Sequence, residues 1–504
     1  MAPALTAAGR AGLAVALVAV AGGALTLNRH LVGVFYDDGV YAGLGWALAH
    51  GQGYAYPNLP GAPAAVHFPP LYPLVLAPWF GLLSVPAAAL AAKVLNVAFA
   101  AAASGLIAWH AVRTELIGAG APPWLAPAVV AAAALAIPCL TVLTVLLSEP
   151  LFGLLFATAV ILADRPPPPA RLSPSVAVLL AGVAAALALL VRSIGVALGI
   201  GVLVSVVSRG RGEAGVALRR RAALAALPLA VAALSWGMWV LTHEARIDPL
   251  LGPDYGSYFA FLRAAGSTVL GGTTVDLGRP FGVLTLGWVP SRLVYYLWGV
   301  PALAVGLYGV WCLVRRSSVG PALIAYLAIL ASWPVPPDRF LWAILPWLAL
   351  AWTRGAVELS RYTKLRVPLA VLVAGLAIGY ARYEVRGFAG RLWDVAARRT
   401  SDDFTMLLPA LDSLPRDAVI ATDYDPLVWL YTRRRTVPRD VYGPPPPVYR
   451  AYLERQGVTY LLVAEGGPSA LQQVESMNQA YPGLLSPVRR WPGRTLFEVR
   501  RANP

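Results

Sequence analysis

The stretch Val176–Val191 reads VAVLLAGVAAALALLV and contains no charged side chain. A helix of about 20 predominantly apolar residues is long enough to span the hydrocarbon core of a bilayer. Ala11–Leu25 and Val129–Leu147 are likewise uncharged, and apolar runs of this kind recur along most of the chain. They predict a polytopic integral membrane protein.

The composition supports the same class of protein. Only 13% of the 504 residues are charged, against about 25% in an average soluble domain, and 58% are hydrophobic. The net charge of +15 comes almost entirely from Arg, because Lys93 and Lys364 are the only lysines. The arginines concentrate in short loops, which is typical of the positive-inside bias of membrane proteins and not of a nucleic-acid interface. Cys139 and Cys312 lie in apolar segments and form neither a disulfide framework nor a metal-ligand spacing.

Apolar runs between charged or Pro/Gly-rich breaks predict about eleven transmembrane helices. The first follows Arg10 and is expected to remain uncleaved, because more membrane helices follow it. Leu71–Leu83 is short and begins inside the Pro-rich stretch His67–Pro73, so we expect an interfacial or re-entrant helix there. The predicted spans cover residues 11–30, 93–112, 122–140, 149–163, 175–191, 194–208, 222–241, 292–314, 319–333, 340–354 and 366–381.

The distribution of arginines gives the expected orientation. If Leu71–Leu83 does not cross, the Arg-rich short loops all fall on one side, which is then cytoplasmic. The opposite side receives the first outer loop at about 31–92, the loop at about 242–291 and the tail. We therefore expect a multi-pass protein of the bacterial inner membrane with a cytoplasmic N-terminus. The loop arginines are Arg10, Arg113, Arg165, Arg171, the cluster Arg209–Arg221, Arg315, Arg316, and those between Arg354 and Arg366.

The tail from about residue 382 to 504 has a different pattern. Charges return, and short β-branched or apolar runs with flanking turn residues predict strands. The sequence thus predicts an all-α membrane module at 1–381 and a small extracytoplasmic α/β domain at 382–504. The expected strands are Ala418–Thr422, Thr459–Ala464 and Thr495–Val499, and the expected helices are Phe404–Leu414 and Pro447–Gln456.

The stretch Tyr36–Tyr41 places two acids just beyond the first predicted helix. Neighbouring helical positions point about 100° apart, so only one carboxylate can aim at a given reacting atom. The other carboxylate, whether of Asp37 or of Asp38, is then free to hold a metal, an Arg or a sugar hydroxyl. Tyr41, four residues after Asp37, would share the face of Asp37. A solvated helix cap is the alternative interpretation. His67, in the same outer loop, is a weaker candidate.

Two further candidates lie at ends of predicted membrane helices. Ser148 is a favourable N-cap, and Glu149 in the first turn either complements the helix dipole or serves a function, as an acid beside a long apolar run often does. Arg192 separates two apolar runs with almost no loop. Its guanidinium either extends to the membrane interface or binds an anion.

Asp338 and Arg339 lie in a tight outer turn before the tenth predicted helix. A guanidinium at a helix N-terminus beside the bilayer suits a phosphate group. Asp338 either orients Arg339 or caps the helix. The sequence contains no phosphate-binding Gly-rich loop, no His-x-x-x-His pair and no nucleophilic Ser in a strand–turn–helix context.

Together these segments resemble the GT-C glycosyltransferases. The similarity is greatest to the bacterial branch related to protein O-mannosyltransferases and to the lipid A aminoarabinose transferases. An acidic pair followed by Tyr, a Gly-Tyr segment and Pro-Pro-Leu-Tyr-Pro are typical of the first outer loop in that branch. The matching stretches are Asp37–Tyr41, Ala49–Tyr54 and His67–Pro73, followed by Ser148–Phe152, Arg192–Gly195 and Asp338–Phe340.

The resemblance implies a donor, a base and a phosphate ligand. The donor is a sugar on a polyprenyl phosphate, the first acid of the loop is the general base and corresponds to Asp37, and the phosphate ligand corresponds to Arg339, with Arg192 as a second candidate. The usual pair is Asp-Glu, so the shorter Asp38 leaves the involvement of a divalent metal open. The expected acceptor is a hydroxyl of a glycan, lipid or protein, and one direct displacement would invert the anomeric centre.

Three alternatives remain at the level of sequence. A transporter would place charged or broken-helix features near the bilayer midplane in repeated halves. A polysaccharide polymerase or ligase that uses a carrier lipid shares the donor and the topology. A non-enzymatic scaffold that displays the tail domain leaves the Asp37-Asp38 loop without a role.

Overall fold

The computed structural model describes residues 6–164, 172–210, 215–258, 260, 292–332, 338–439, 443–464 and 468–500. Most of these residues are helical, and the strands of the single multistranded sheet all lie beyond residue 418. The predicted fold class is confirmed: an all-α membrane protein with a small C-terminal sheet.

The helices alternate with short links along the chain. Each of the eleven predicted spans overlaps at least one helix. In chain order the helices are α1 (Ala7–Thr26), α2 (Asp37–Ala49), α3 (Leu71–Leu82), α4 (Val85–Arg113), α5 (Leu125–Leu135), α6 (Ile137–Thr144), α7 (Glu149–Ala163), α8 (Pro174–Val191), α9 (Val196–Arg209), α10 (Gly215–His243), α11 (Gly252–Tyr255), α12 (Arg292–Val314), α13 (Val319–Ala331), α14 (Asp338–Trp342), α15 (Leu345–Leu359), α16 (Arg366–Gly390), α17 (Leu392–Asp412), α18 (Asp425–Thr432), α19 (Pro446–Arg455) and α20 (Pro468–Ala480).

Length and apolar composition identify the helices that can cross a membrane. Five stretches in the described part of the chain qualify, and the bent pair α5–α6 makes up to six. Shorter apolar helices, among them α3, α7 and α13, have 10–17 residues and are short for a bilayer. The five stretches are Ala7–Thr26, Val85–Arg113, Pro174–Val191, Gly215–Arg246 and Thr363–Asp412.

The chain divides into two compact units. We call Met1–Asn28, Lys93–Met238 and Leu262–Ala396 the helical unit. The mixed unit consists of Arg29–Ala92, Trp239–Phe261 and Ala397–Pro504. The first outer loop therefore belongs to the same compact unit as the tail. A single cut of the sequence at residue 382 would separate these two segments.

Two predicted single helices are each interrupted, and the first interruption has a clear cause. The expected helix at 122–140 is in fact α5 and α6, which meet at a bend of 49°. Pro138 lies in the first turn of α6, where its missing N–H costs nothing. The amide of Ile137 donates to the Glu384 carboxylate at 3.3 and 3.2 Å. The predicted helix at 340–354 likewise corresponds to α14 and α15, with a break around Ala343 and Ile344.

The segment that was expected not to cross the membrane is the 12-residue helix α3. Its length is about 18 Å at 1.5 Å per residue, well below the hydrocarbon thickness of about 30 Å. It packs against α2 in the mixed unit, where the rings of Tyr41 and Tyr72 meet edge to face at 5.0 Å.

The tail of the mixed unit forms a five-stranded sheet in the order β2-β1-β3-β5-β4. β1 pairs in parallel with β2 and β3, whereas β5 pairs antiparallel with β3 and β4. The three predicted strands correspond to β1, β3 and β5, while β2 and β4 were not predicted. The strands are β1 (Val419–Thr422), β2 (Arg435–Pro438), β3 (Tyr460–Ala464), β4 (Leu485–Trp491) and β5 (Arg494–Val499).

One end of the helical unit is tied together by the carboxylate of Asp164, which follows α7. Its oxygens accept from Arg209 Nη2 at 2.8 Å, His110 Nε2 at 3.0 Å, Ser317 Oγ at 2.5 Å and the Ser318 amide at 2.7 Å. These donors come from α4, α9 and the α12–α13 link. Only 4% of the Asp164 side chain is exposed, so the carboxylate depends on these partners for its solvation.

Replacing Asp164 by Ala should destabilise the protein by about 3–5 kcal/mol, because Arg209 and three other hydrogen-bond donors lose a buried partner. Burial alone would raise the pKa of Asp164, but the hydrogen bond from His110 and the charge of Arg209 lower it to about 2. The contribution of Asp164 to the stability should therefore be lost as the pH falls from about 4 toward 2, and Asp164→Ala should show a weaker dependence of stability on pH in this range than wild type.

Thermal unfolding of the detergent-solubilised protein across this pH range measures both effects. Glu115→Ala, which removes an exposed acid of the same unit, is the control. An Asp164→Ala melting temperature equal to that of the control would contradict a role for Asp164 in holding these elements together.

Candidate functional site

A cluster of one acidic residue and two arginines lies in the helical unit. Glu149 Oε1 is 2.7 Å from Arg192 Nη1 and 3.0 Å from Arg339 Nε. The side chains of Glu149 and Arg192 are only 2% and 6% exposed, whereas Arg339 is 25% exposed. Three candidates that are far apart in sequence therefore meet at one carboxylate oxygen. We call Glu149, Arg192 and Arg339 the arginine cluster.

The position of Arg192 follows from the junction between α8 and α9. Arg192 ends α8 in an extended conformation (φ −147°, ψ 128°), and a single 3₁₀ turn, Ser193–Gly195, leads into α9. A Cβ on Gly195 would lie 2.4 Å from the Leu189 backbone nitrogen, so the tight turn requires glycine. This geometry buries the guanidinium in the unit, 5.0 Å from the centre of the Phe340 ring.

Glu149 and Arg339 lie in the first turns of two separate helices. Glu149 begins α7, but the Ser148 hydroxyl does not cap that helix and instead accepts a hydrogen bond from Arg192 Nη1 at 3.2 Å. The expectation that Ser148 acts as a side-chain N-cap was therefore wrong. Asp338 and Arg339 open the five-residue helix α14, and the Phe340 carbonyl after them accepts from the Tyr326 hydroxyl at 2.8 Å.

The arginine cluster presents two guanidinium groups at one point of the helical unit. Burying an ion is costly unless a counter-ion and hydrogen bonds compensate, and Glu149 Oε1 supplies a counter-charge to both arginines. Guanidinium groups also match phosphate oxygens well in geometry.

An apolar cleft borders the cluster within the same unit. Glu149, Pro150 and Gly153 of α7 form one part of its wall, and Trp342 and Pro346 form another. The rest consists mainly of small and aliphatic side chains, and the full remainder is Ala19, Ala100, Ala103, Ser104, Ile107, Ala134, Cys139, Val142, Leu143 and Ala343. An anion-binding group beside such a wall suits a ligand with a charged head and a hydrocarbon chain.

Three polar residues that the sequence analysis did not single out support the segment before Glu149. Asn28 Nδ2 donates to the Thr144 carbonyl at 2.9 Å, and Asn96 Nδ2 donates to the Leu147 carbonyl at 3.0 Å. Lys93, which is 2% exposed, donates to Asn28 Oδ1 at 2.6 Å. The one available signal was that Lys93 is one of only two lysines in the chain.

The acidic pair lies in the mixed unit, and its two members have different environments. Asp38 is 1% exposed, and its carboxylate accepts from the amides of Gly33 at 2.8 Å and Phe35 at 2.9 Å. Asp37 begins α2 and is half-buried. Asp38 therefore shapes the loop before α2.

The residue before Asp37 has an unusual backbone. Tyr36 adopts φ 64° and ψ −71°, a positive φ that is a genuine outlier for a bulky residue. Such a conformation costs on the order of 1–3 kcal/mol, and it persists only where the surroundings enforce it. Strain of this kind is concentrated at functional sites, which makes the turn at Tyr36 and Asp37 a candidate site on structural grounds.

The remaining candidates in this unit have packing roles. Tyr41 is 2% exposed, and its ring meets those of Phe68 at 4.9 Å and Tyr72 at 5.0 Å. His67 Nδ1 lies 2.7 Å from the Gly256 carbonyl, so Nδ1 carries the proton in this contact. Among the described residues there is no group of three or more His, Cys, Asp or Glu arranged to hold a metal ion.

Glu149→Gln should remove the charge that Glu149 places beside the buried Arg192 and the partly exposed Arg339, and lower the stability by about 3–5 kcal/mol. The melting temperature in detergent, compared with that of Glu115→Gln, measures this loss. Because a phosphate-bearing lipid would supply negative charge, adding polyprenyl phosphate should raise the melting temperature of Glu149→Gln. A variant as stable as wild type would argue against the ion pairs of the arginine cluster.

Comparison with known proteins gives matches in structure only, since no known family profile and no curated protein sequence matches this chain. ArnT from Cupriavidus metallidurans in the apo state superposes with a TM-score of 0.55 at 15% identity, over 96% of this chain and 97% of that one. The same protein bound to undecaprenyl phosphate gives 0.53 at 15% identity over the same shares. An Archaeoglobus fulgidus oligosaccharyltransferase, in complex with Zn and sulfate, gives 0.52 at 13% identity, over 90% of this chain and 68% of that one. This chain therefore has the GT-C fold that its sequence predicts.

Proposed function

We propose that this protein is an integral membrane glycosyltransferase that moves a sugar from a polyprenyl-phosphate carrier to an acceptor hydroxyl, with inversion at the anomeric carbon. The observation that carries this proposal is the arginine cluster beside an apolar cleft. A polyprenyl phosphate has one anionic head on a long hydrocarbon chain, which matches both features. The GT-C fold supports the reaction type, and one of the similar structures, ArnT, is described as bound to undecaprenyl phosphate.

Arg339 and Arg192 are proposed to hold the donor phosphate. Arg339 is the more exposed of the two and so the more accessible to a ligand, while Arg192 is fixed by Glu149, Ser148 and the Phe340 ring. As the bond between the anomeric carbon and the phosphate oxygen breaks, the bonding electrons move to the phosphate. Pre-positioned guanidinium donors stabilise this developing charge without reorganising.

Asp37 is proposed to act as the general base. The acceptor hydroxyl attacks the anomeric carbon and must lose its proton, which passes to the carboxylate. Asp38 is engaged with two backbone amides and is assigned to holding the loop. A single displacement leaves the sugar on the acceptor, the carrier as polyprenyl phosphate and the proton on Asp37, so the atoms and charges balance.

The cell envelope is the proposed location. With the Arg-rich short loops in the cytoplasm, the N-terminus is cytoplasmic and the first outer loop and the tail face the extracytoplasmic side. A polymerase or ligase of surface polysaccharide would use the same donor chemistry and differ only in its acceptor. Assays with several acceptor classes therefore separate those two assignments.

Asp37→Asn should lower the rate of sugar transfer by about 100-fold or more, because a general base contributes roughly 10²–10⁴-fold. The assay uses purified protein in liposomes, labelled polyprenyl-phosphate sugars and glycan, lipid or peptide acceptors. The melting temperature should stay near that of wild type, since Asp37 is half-buried.

Asp38→Asn is the matched comparison. It should lower the stability as well as the activity, since one carboxamide oxygen cannot replace two carboxylate oxygens that accept from Gly33 and Phe35. Undiminished transfer by Asp37→Asn would overturn the assignment of the base. Transport of a solute by a wild-type protein that transfers no sugar would instead favour the transporter.

Arg339→Ala should weaken the binding of polyprenyl phosphate by about 10- to 100-fold, which corresponds to the roughly 1.5–3 kcal/mol of a hydrogen bond to a charged group. Arg361→Ala, at a position 57% exposed, is the control. Binding measured by tryptophan fluorescence or microscale thermophoresis should be unchanged in the control. Equal affinity of Arg339→Ala and wild type would remove this residue from the phosphate site.

A further inference from the structure

The connection between α1 and α2 is held by side chains from the tail of the chain. The Leu31 amide donates to Ser401 Oγ at 3.0 Å, and the Val32 amide donates to the Tyr431 hydroxyl at 3.0 Å. Loop amides need such partners, because an unpaired buried N–H is costly. The tail thus satisfies backbone donors that lie only a few residues before Asp37.

Helix α18 contacts the same loop at two glycines. Gly33 has φ 97°, and a Cβ there would lie 2.6 Å from the Leu427 Cβ. A Cβ on Gly39 would lie 2.9 Å from the Pro426 Cβ. These close approaches place the first turn of α18 against the backbone on both sides of Asp37.

A buried polar cluster lies at the start of α18. It consists of Tyr36, Asn58, Tyr255 and Asp425, and we call it the buried acid cluster. Asp425 Oδ2 accepts from Asn58 Nδ2 at 2.8 Å and from the Tyr255 hydroxyl, and Asn58 Nδ2 also donates to the Tyr255 hydroxyl at 2.7 Å. Asp425 and Tyr255 are both 0% exposed. The rings of Tyr36 and Tyr255 meet edge to face at 6.3 Å.

The Tyr36 hydroxyl and Asp425 Oδ1 are both buried. The Tyr36 hydroxyl interacts with Tyr255 and with the Asp425 carboxyl inside the cluster. Burial raises the pKa of the Asp425 carboxyl well above its usual range, outweighing the hydrogen bond from Tyr255 that lowers it. A protonated Asp425 has one O–H to donate, and the Tyr36 hydroxyl is an acceptor in the same cluster.

We propose that α18 and the buried acid cluster position Asp37, with Asp425 of the tail as a positioning residue for the catalytic base. This inference rests on the proposed function, because it assigns a role relative to the base of that reaction. Tyr36 is the link: its side chain lies in the cluster, and its strained backbone leads directly into Asp37. The tail domain thereby acquires a role in the transfer reaction and is more than an appended module.

The chemistry of the cluster makes the choice of variant informative. Asn has the shape of a protonated Asp, with one acceptor oxygen and an N–H donor. Asp425→Asn should therefore keep the hydrogen bonds from Asn58 and Tyr255 and still offer a donor to Tyr36. Asp425→Ala removes all of them, while Tyr255→Phe and Tyr36→Phe each remove one hydroxyl without changing the shape of the ring.

The test compares these full-length variants in the liposome transfer assay. Asp425→Ala should lower kcat by about 10- to 100-fold, because a small misplacement of a reacting group has effects of that size. The donor KM should change little, since the phosphate ligands are elsewhere in the chain. Asp425→Asn should remain within about threefold of wild type, unlike Asp37→Asn. Tyr255→Phe and Tyr36→Phe should give intermediate losses in kcat. They replace Asp425→Ala in this test if that variant does not fold.

Amide hydrogen exchange gives a second measurement that does not depend on activity. The exchange of the amides between Leu31 and Asp37 should accelerate in Asp425→Ala or, if that variant does not fold, in Tyr255→Phe. It should remain unchanged in Asp417→Ala, which removes an exposed acid of the tail. Global stability is monitored in parallel, so that a local change can be told apart from general unfolding.

Two results would overturn the inference. One is a folded Asp425→Ala or Tyr255→Phe with wild-type kcat and wild-type exchange in the loop. The other is an Asp425→Asn as inactive as Asp37→Asn, which would mean that the cluster supplies a charge and does not position the base. If wild type transfers no sugar from any polyprenyl-phosphate donor, the proposed function is contradicted. Unchanged amide hydrogen exchange between Leu31 and Asp37 in the folded variants would then, independently of activity, contradict the role of the cluster in positioning the loop.

Discussion

The helical unit depends on a contact between one acidic residue, Glu149, and two arginines. A guanidinium buried among apolar helices must have a counter-charge, and Glu149 provides it for Arg192 and Arg339 at a single oxygen. The tight α8–α9 turn, the start of α7 and the short helix α14 each bring one member to this point. In the proposed function the same two guanidinium groups also hold the donor phosphate. Stability and ligand binding would then depend on the same three side chains.

The sequence predicted the helices well because hydropathy is a local property. All eleven predicted spans overlap helices, and the length of α3 agrees with a segment that does not cross by itself. The bend between α5 and α6 was missed because a proline in a first helical turn and one in a helix interior look alike in sequence. Strands β2 and β4 were missed because Arg435, Pro438, Pro487 and Arg489 dilute the pattern that identifies a strand.

The candidate site was predictable only in part, for a related reason. Charged residues at the ends of apolar runs are visible in sequence, so Glu149, Arg192 and Arg339 could be named, but not that they share one oxygen atom. Asp425, Tyr255 and Asn58 could not be found, because their significance lies in contacts between segments about 170 to 370 residues apart. The association of the first outer loop with the tail is of the same kind. It gives the C-terminal domain, whose role the sequence left open, a physical connection to the turn at Asp37.

The most direct test of the proposed reaction follows the phosphorus atom. Wild-type protein in liposomes is incubated with a polyprenyl-phosphate sugar and a panel of acceptors, and phosphorus NMR distinguishes the donor phosphodiester from the product monoester. The proposed function predicts conversion of diester to monoester that requires both protein and acceptor, with an inverted anomeric configuration in the isolated product. An unchanged diester with every donor and acceptor, while a labelled solute crosses the vesicle membrane, would contradict it.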